Sequence, residues 1–211
     1  MPLPEQFGFY AILTNPLRGY DYCTKVLVDA GVAVVQLRIK DSPPEKILPV
    51  AEKMRSITEG STTLFIINDF PELVLQCDAD GVHIGQDDRS YDSVRKLLGP
   101  DKIIGISTHS PEQTVTACAS TPDYIGMGPV YPTPTKKIPD PAIGLTGLKK
   151  MLTTATVPGV AIGGIDCENL PKVLETGAVN FCMVRQFTQS KHPEKVITSI
   201  NSIYKDFYPL F

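Results

Sequence analysis

The sequence predicts an α/β protein built as a single (β/α)8 barrel over residues 1–211, and three observations predict it. Eight short apolar segments recur along the chain, each followed by a stretch with helical spacing or helix-start residues. Strands that alternate with helices pair in parallel, and eight such units suffice to close a barrel. No Gly-x-Gly-x-x-Gly turn follows the first strand, where an open dinucleotide-binding sheet would carry it.

The strand segments, in order, are Phe9 to Leu13, Val34 to Ile39, Leu64 to Asn68, Gly81 to Ile84, Ile103 to Ser107, Tyr124 to Gly128, Val160 to Gly163 and Asn180 to Val184. Two helix starts share a grammar. Ser42-Pro43-Pro44-Glu45 and Ser110-Pro111-Glu112-Gln113 each offer an N-cap hydroxyl, a proline for the first turn and a carboxylate close behind it. From Pro193 to Tyr208, Val196, Ile197, Ile200 and Ile203 fall on one helical face, as a closing helix needs. The last residues, Asp206 to Phe211, are apolar enough to dock on this subunit or on a second copy, so a homodimer is one expectation.

Composition narrows the partners. With 211 residues, a net charge of -3 and no basic run, the chain gives no reason to expect nucleic acid or an anionic membrane surface. No apolar run is long enough to span a bilayer and no signal-peptide pattern opens the sequence, which predicts a cytoplasmic protein. The five cysteines (Cys23, Cys77, Cys118, Cys167 and Cys182) are scattered without any Cys-x-x-Cys pair, so most are expected as buried thiols rather than disulfides or zinc ligands.

In a barrel of this kind, polar residues at the carboxyl ends of strands face the active site. Alternation along the second strand turns Val35, Leu37 and Ile39 to the helices and Gln36, Arg38 and Lys40 to the interior. Three inward polar residues are costly to bury without a partner. An anionic ligand, or else an internal ion-pair network, would satisfy them. The third strand ends in Asn68-Asp69 and the fourth leads into Gly85-Gln86-Asp87-Asp88. Two carboxylates at neighbouring strand ends suit a divalent cation such as Mg2+, and Asp69 with Asp88 is the expected pair, with Asp87 as competitor. Asp69 could instead cap the helix near Phe70-Pro71. His83 lies between Val82 and Ile84 and reads as a satisfied interior group rather than a ligand. Ser107 could donate to a phosphate, and His109 could serve as a base or a cap.

The stretch from Asp123 to Lys137 begins as a strand, breaks at Gly128-Pro129, and continues as a loop stiffened by Pro132 and Pro134. Its Thr133, Thr135 and Lys136 are suited to hold an anion. Gly163 and Gly164 after the seventh strand, with Val184 and Arg185 after the eighth, mark the habitual phosphate grip of such barrels. Two anion sites result. One gathers Gln36, Arg38, Lys40 and Lys136 beside a metal; the other gathers Thr133, Thr135, the glycine pair and the end of the eighth strand.

Gln36-Leu-Arg-Ile-Lys40, Ile67-Asn-Asp69, Gly81 to Asp88, Ile104 to His109, Asp123 to Lys137 and Ala161-Ile-Gly-Gly-Ile165, in this order, resemble the motifs of the thiamine phosphate synthase family. The resemblance implies a (β/α)8 transferase of thiamine biosynthesis that joins hydroxymethylpyrimidine diphosphate to a thiazole phosphate and releases pyrophosphate, with Mg2+ as cofactor. It implies that Gln36, Arg38, Lys40, Asn68, Ser107 and Lys136 bind the pyrimidine diphosphate and that Asp69 and Asp88 hold the metal. Arg38, Lys40, Lys136 and Ser107 would carry the catalytic burden. Thr133, Thr135, Gly164, Val184 and Arg185 would bind the thiazole phosphate, beside the Gly163 already picked from the strand end. Arg185 departs from the pattern, since many members carry serine there. Related thiazole tautomerases place a catalytic histidine where Pro129 stands. That branch, and a non-catalytic barrel that binds a phosphorylated ligand, are the alternatives.

Overall fold

Each predicted strand forms, and the eight close into one parallel barrel in the order of the chain. The computed structural model describes residues 3–133 and 140–209. The strands are β1 (Gly8–Leu13), β2 (Val34–Leu37), β3 (Leu64–Asn68), β4 (Gly81–Ile84), β5 (Ile103–Thr108), β6 (Tyr124–Met127), β7 (Gly159–Ala161) and β8 (Asn180–Met183). β8 returns to β1 with Gly8 opposite Asn180 and Tyr10 opposite Cys182. Between and after them run α1 (Tyr20–Asp29), α2 (Pro44–Thr58), α3 (Pro71–Cys77), α4 (Tyr91–Leu98), α5 (Pro111–Ala119), α6 (Gly144–Thr154), α7 (Leu170–Leu174), α8 (Arg185–Thr188) and α9 (Pro193–Phe207).

Period-two alternation sorts the strand side chains into two cores. Val35, Leu37, Phe65, Ile67, Ile104, Ile125 and Phe181 point outward and pack with helix residues such as Leu27, Met54 and Leu148. Tyr10, Ile12, Val34, Ile66, Ile103, Tyr124, Val160 and Cys182 fill the barrel. Each large apolar side chain removed from water contributes about 1.5–3 kcal/mol, so the outer layer carries most of the driving force.

The helix grammar holds at one site and fails at the other. Ser110 caps α5, its hydroxyl accepting from Gln113 N at 3.2 Å. Ser42 does not cap α2: the N-cap is Pro43, with Pro44 opening the helix and no side-chain cap bond. Asp69 likewise does not cap α3, whose N-cap is Phe70. In α9, Ile197 and Ile200 are buried with Tyr204, while Val196 and Ile203 flank that stripe. Tyr208 follows onto Tyr204 with ring centroids 4.9 Å apart. Its hydroxyl donates to Ala178 O at 3.3 Å. Residues 210 and 211 lie outside the described part. All five cysteines are free thiols, and four of them are buried. Among the described residues no helix is long and apolar enough to cross a membrane.

Candidate active site

Above the carboxyl ends of the strands lies a cavity of about 630 Å3. Arg38, Ser107, Thr133, Gly163, Gly164, Val184 and Arg185 all line it, so half of the residues picked from the sequence converge on one space, while Gln36, Lys40, Asn68, Asp69 and Asp88 lie outside its lining. Thr135 and Lys136 lie outside the described residues.

Arg38 gets there because the β2 ladder runs one residue beyond the strand, with Arg38 N donating to Leu13 O at 2.9 Å. Its guanidinium is half-buried. Burial works against its charge, and the Asp69 carboxylate works for it. Lys40 is more exposed and pairs directly with Asp69. Asn68, nearly buried, ends β3 on the inner face, in register with His83. Gln36 sits deeper than a mouth residue, 1% exposed, with Nε2 donating to Tyr10 Oη at 2.9 Å.

Asp69 and Asp88 do come together. Asp69 holds a left-handed backbone with φ 66, unusual for a residue with a side chain, and its N–H is fixed by His83 O at 2.9 Å. Asp88 folds back so that its Oδ2 accepts from Gly85 N at 2.6 Å. Burial pushes the Asp88 carboxyl up, the Gly85 N–H pulls it back down, and the neighbouring Asp69 charge pushes it up again. Two neighbouring carboxylates, one of them paired with Lys40, form a donor set that suits a hard divalent cation. These residues fit Mg2+.

On the opposite side, β7 gives way to Gly163 and Gly164, with φ of 100 and 65. Both conformations suit glycine, and space demands it as well. A Cβ on Gly163 would lie 2.4 Å from Pro129 Cβ, and one on Gly164 would lie 2.7 Å from Tyr131 Cβ. The two loops lock through Val130 N to Ile162 O at 2.8 Å and Tyr131 N to Gly163 O at 2.9 Å. Asn169 Nδ2 donates to Gly164 O at 2.9 Å, and Asp166 Oδ1 receives the N–H groups of Glu168 and Asn169 at 3.0 Å each. Val184 and Arg185 open α8 beside this loop. His109 reaches across from β5, its Nδ1 2.5 Å from Gly128 O and its Nε2 3.6 Å from Asp140 Oδ2.

Sequence reasoning missed the barrel floor. Tyr10 and Tyr124 meet hydroxyl to hydroxyl at 2.7 Å. Tyr124 Oη lies 3.0 Å from His83 Nδ1, and His83 Nε2 lies 2.8 Å from Ser107 Oγ. His83 is thus a satisfied interior group, as expected, but one that touches a cavity residue. The inward parity of Tyr10 and Tyr124 within their strands was the available signal. Gln86, also unforeseen, donates to Ser107 O at 2.6 Å.

The sequence pattern of a family described as thiamine monophosphate synthase matches residues 13–187. The chain belongs to this family. Its relatives include thiamine-phosphate synthases from Lawsonia intracellularis, 41% identical over 80% of this chain and 79% of the relative, and from Synechocystis, 40% identical over 93% of this chain. The chain spans 57% of the Synechocystis relative's length. Among solved structures, a thiamine phosphate pyrophosphorylase from Pyrococcus furiosus superposes with a TM-score of 0.86 at 28% identity, covering 95% of this chain and 96% of that one. The family match, residues 13–187, takes in every strand from β2 to β8 and the last residue of β1.

Proposed function

We propose that this chain, folded as one domain over residues 1–211, is a thiamine phosphate synthase that transfers the hydroxymethylpyrimidine group from its diphosphate to a thiazole phosphate. The observation that carries this reading is the shared cavity, in which Arg38 and Ser107 on one wall face Thr133, Gly163, Gly164 and the start of α8 on the other. A site with two anion-binding walls suits two phosphorylated substrates.

In the reaction the C–O bond to the diphosphate breaks with its electron pair leaving on oxygen. The electron-rich pyrimidine stabilises the methylene cation, and the thiazole nitrogen supplies the pair for the new C–N bond. No protein nucleophile is needed, so the residues act by charge and position. Arg38, Lys40 and Lys136 stabilise the departing diphosphate, and Asn68 and Ser107 orient it; Gln36, 1% exposed and outside the cavity lining, supports this wall from beneath rather than touching the substrate. Asp69 and Asp88 would hold Mg2+, which when bound neutralises diphosphate charge. Thr133, Thr135 and the N–H groups of the Gly163-Gly164 loop and Val184 hold the thiazole phosphate. Arg185, exposed on the lip of the cavity, adds a planar cation where a hydroxyl is usual. The protein acts in the cytoplasm, without nucleic acid or membrane, and Tyr208 and the residues beyond it are where a second copy would dock.

The test supplies hydroxymethylpyrimidine diphosphate, thiazole phosphate and Mg2+ and measures thiamine phosphate and pyrophosphate. Wild-type protein forms both, and Asp69→Ala and Lys136→Ala lose both. A folded wild type that forms neither, with plain or carboxylated thiazole phosphate, refutes the reading.

A further inference from the structure

Four interior side chains stand in line between β2 and the cavity. Gln36 Nε2 is 2.9 Å from Tyr10 Oη, Tyr10 Oη is 2.7 Å from Tyr124 Oη, Tyr124 Oη is 3.0 Å from His83 Nδ1, and His83 Nε2 is 2.8 Å from Ser107 Oγ. The rings are packed as well as bonded: Tyr124 stacks on His83 at 5.5 Å and 28°, and meets Tyr10 edge-on at 5.5 Å and 62°. Room for Tyr124 comes from Gly105, where a Cβ would lie 2.1 Å from Tyr124 Cζ.

The direction of this line follows from counting hydrogens. Gln36 can only donate through Nε2, so Tyr10 accepts from it and gives its own hydroxyl hydrogen to Tyr124. Tyr124 passes its hydrogen on to His83 Nδ1. His83 is then the Nε2–H tautomer and donates to Ser107 Oγ, which leaves the Ser107 hydrogen free to point into the cavity that Ser107 lines. Turning the Gln36 amide over would reverse every bond and commit the Ser107 hydrogen to His83. That setting would strand both Nε2 hydrogens inside the barrel, whereas the observed one leaves Gln36 Oε1 as the atom without a partner. Buried unpaired acceptors are better tolerated than buried unpaired N–H groups. Burial also pushes both phenols well above their ordinary range, so neither hydroxyl gives up its hydrogen near neutral pH.

We propose that Gln36, Tyr10, Tyr124 and His83 form a one-way hydrogen-bond relay that sets the Ser107 hydroxyl as a donor into the cavity. His83 and Tyr124 are positioning residues. Their effect on the reaction rests on the synthase reading above, through the placing of the departing diphosphate against Ser107.

Two measurements test it. The first needs no activity: 15N NMR of the histidine rings at mildly alkaline pH, with three histidines in the chain and His83→Gln to assign the signal, reads the tautomer directly. Nε2–H alone is expected; Nδ1–H, or a proton on both nitrogens, overturns the relay. The second is a double-mutant cycle. Tyr124→Phe removes one link and should lower kcat by about tenfold, with little change in KM for either substrate. In a Ser107→Ala background the same change should cost less than about twofold, because the group it positions is gone. An equal loss in both backgrounds overturns the proposal. If Tyr124→Phe does not fold, His83→Gln and His83→Leu replace it: glutamine keeps an N–H near Ser107 and should stay several-fold more active than leucine, and equal activity overturns the relay. A wild type that makes no thiamine phosphate refutes the synthase reading instead, and the tautomer still decides the relay.

Discussion

Gly163 and Gly177 offer a matched pair for separating backbone strain from crowding at the wall proposed to hold the thiazole phosphate. Their φ values are close, 100 and 93. An added Cβ on Gly177 meets nothing within 4 Å, whereas one on Gly163 falls 2.4 Å from Pro129 Cβ and 3.1 Å from Val130 N. Gly177→Ala therefore incurs strain alone, about 1–3 kcal/mol. Gly163→Ala adds overpacking of about 1–3 kcal/mol, because Pro129 and Val130 are held by backbone bonds to Ile143 and Ile162. At about 2–4 °C per kcal/mol for a chain of this size, Gly163→Ala should melt several degrees below Gly177→Ala. Function should split the pair further. Gly177 is exposed and away from the cavity, so its alanine variant keeps wild-type kinetics, while Gly163→Ala raises KM for the thiazole phosphate by at least about tenfold. Thermal unfolding followed by steady-state assays covers both. Equal melting points and equal KM values would show that the loop has room to spare, and would refute the cradle assigned to it.

Other outcomes follow from the same packing. Gly105→Ala drives a methyl into the Tyr124 ring, 2.1 Å from Cζ, and should cost more than about 3 kcal/mol in urea unfolding; a near-neutral change means the ring is not where the relay needs it. Arg95 links α4 to the strand bottoms, donating to Lys102 O at 2.6 Å and to Asp123 Oδ2 at 2.9 Å, and that Asp123 oxygen also receives Ile104 N at 2.8 Å. Asp123→Ala leaves a strand N–H and a half-buried guanidinium short of an acceptor, and should destabilise by about 1–3 kcal/mol without changing KM. For Asp88, burial and the Asp69 charge raise the carboxyl, so the folded metal-free protein binds that proton more tightly than the unfolded chain does. Stability from this group is present below the ordinary carboxylate range, about pH 4, and is lost as pH rises through the raised value. Asp88→Asn should accordingly gain on wild type in chelator as pH rises toward neutral and match it in acid. Unfolding curves across that range check the sign.

How much of this was legible beforehand depends on which physics each feature uses. The eight strands were readable because apolar runs and turn residues mark them locally, and the inward parity of Gln36 and Arg38 followed from alternation alone. The ends of β2 and β7 were less so. Ile39 and Gly163 continue the apolar or small-residue pattern, yet regular strand pairing ends at Leu37 and Ala161, beyond which Arg38 N still reaches Leu13 O and Ile162 N still reaches Met127 O. The Ser42 cap was misplaced because Pro43 fixes an extended approach and takes the N-cap position itself. The relay was invisible for another reason. Tyr10, Gln36, His83, Ser107 and Tyr124 come from five strands, and only the closure of the barrel, which sets register among all of them, brings their polar atoms within 3 Å of one another.

Arg38 ties these layers together. It sits at the rim of the same interior that holds Gln36 and Cys182, and the surrounding apolar mass opposes its charge while Asp69 offsets only part of that opposition. Asp69 in turn is shared with Lys40 and faced by Asp88. Each local charge is thus claimed twice, a frustrated arrangement that an isolated structural ion pair would not need. On the synthase reading proposed above, an incoming diphosphate with its cation would resolve both conflicts at once: the anion would satisfy Arg38 and Lys40, and the cation the two carboxylates. The unliganded site holds its charges in a less favourable setting than the liganded one, which is the condition for spending binding energy on the departing group rather than on the resting protein.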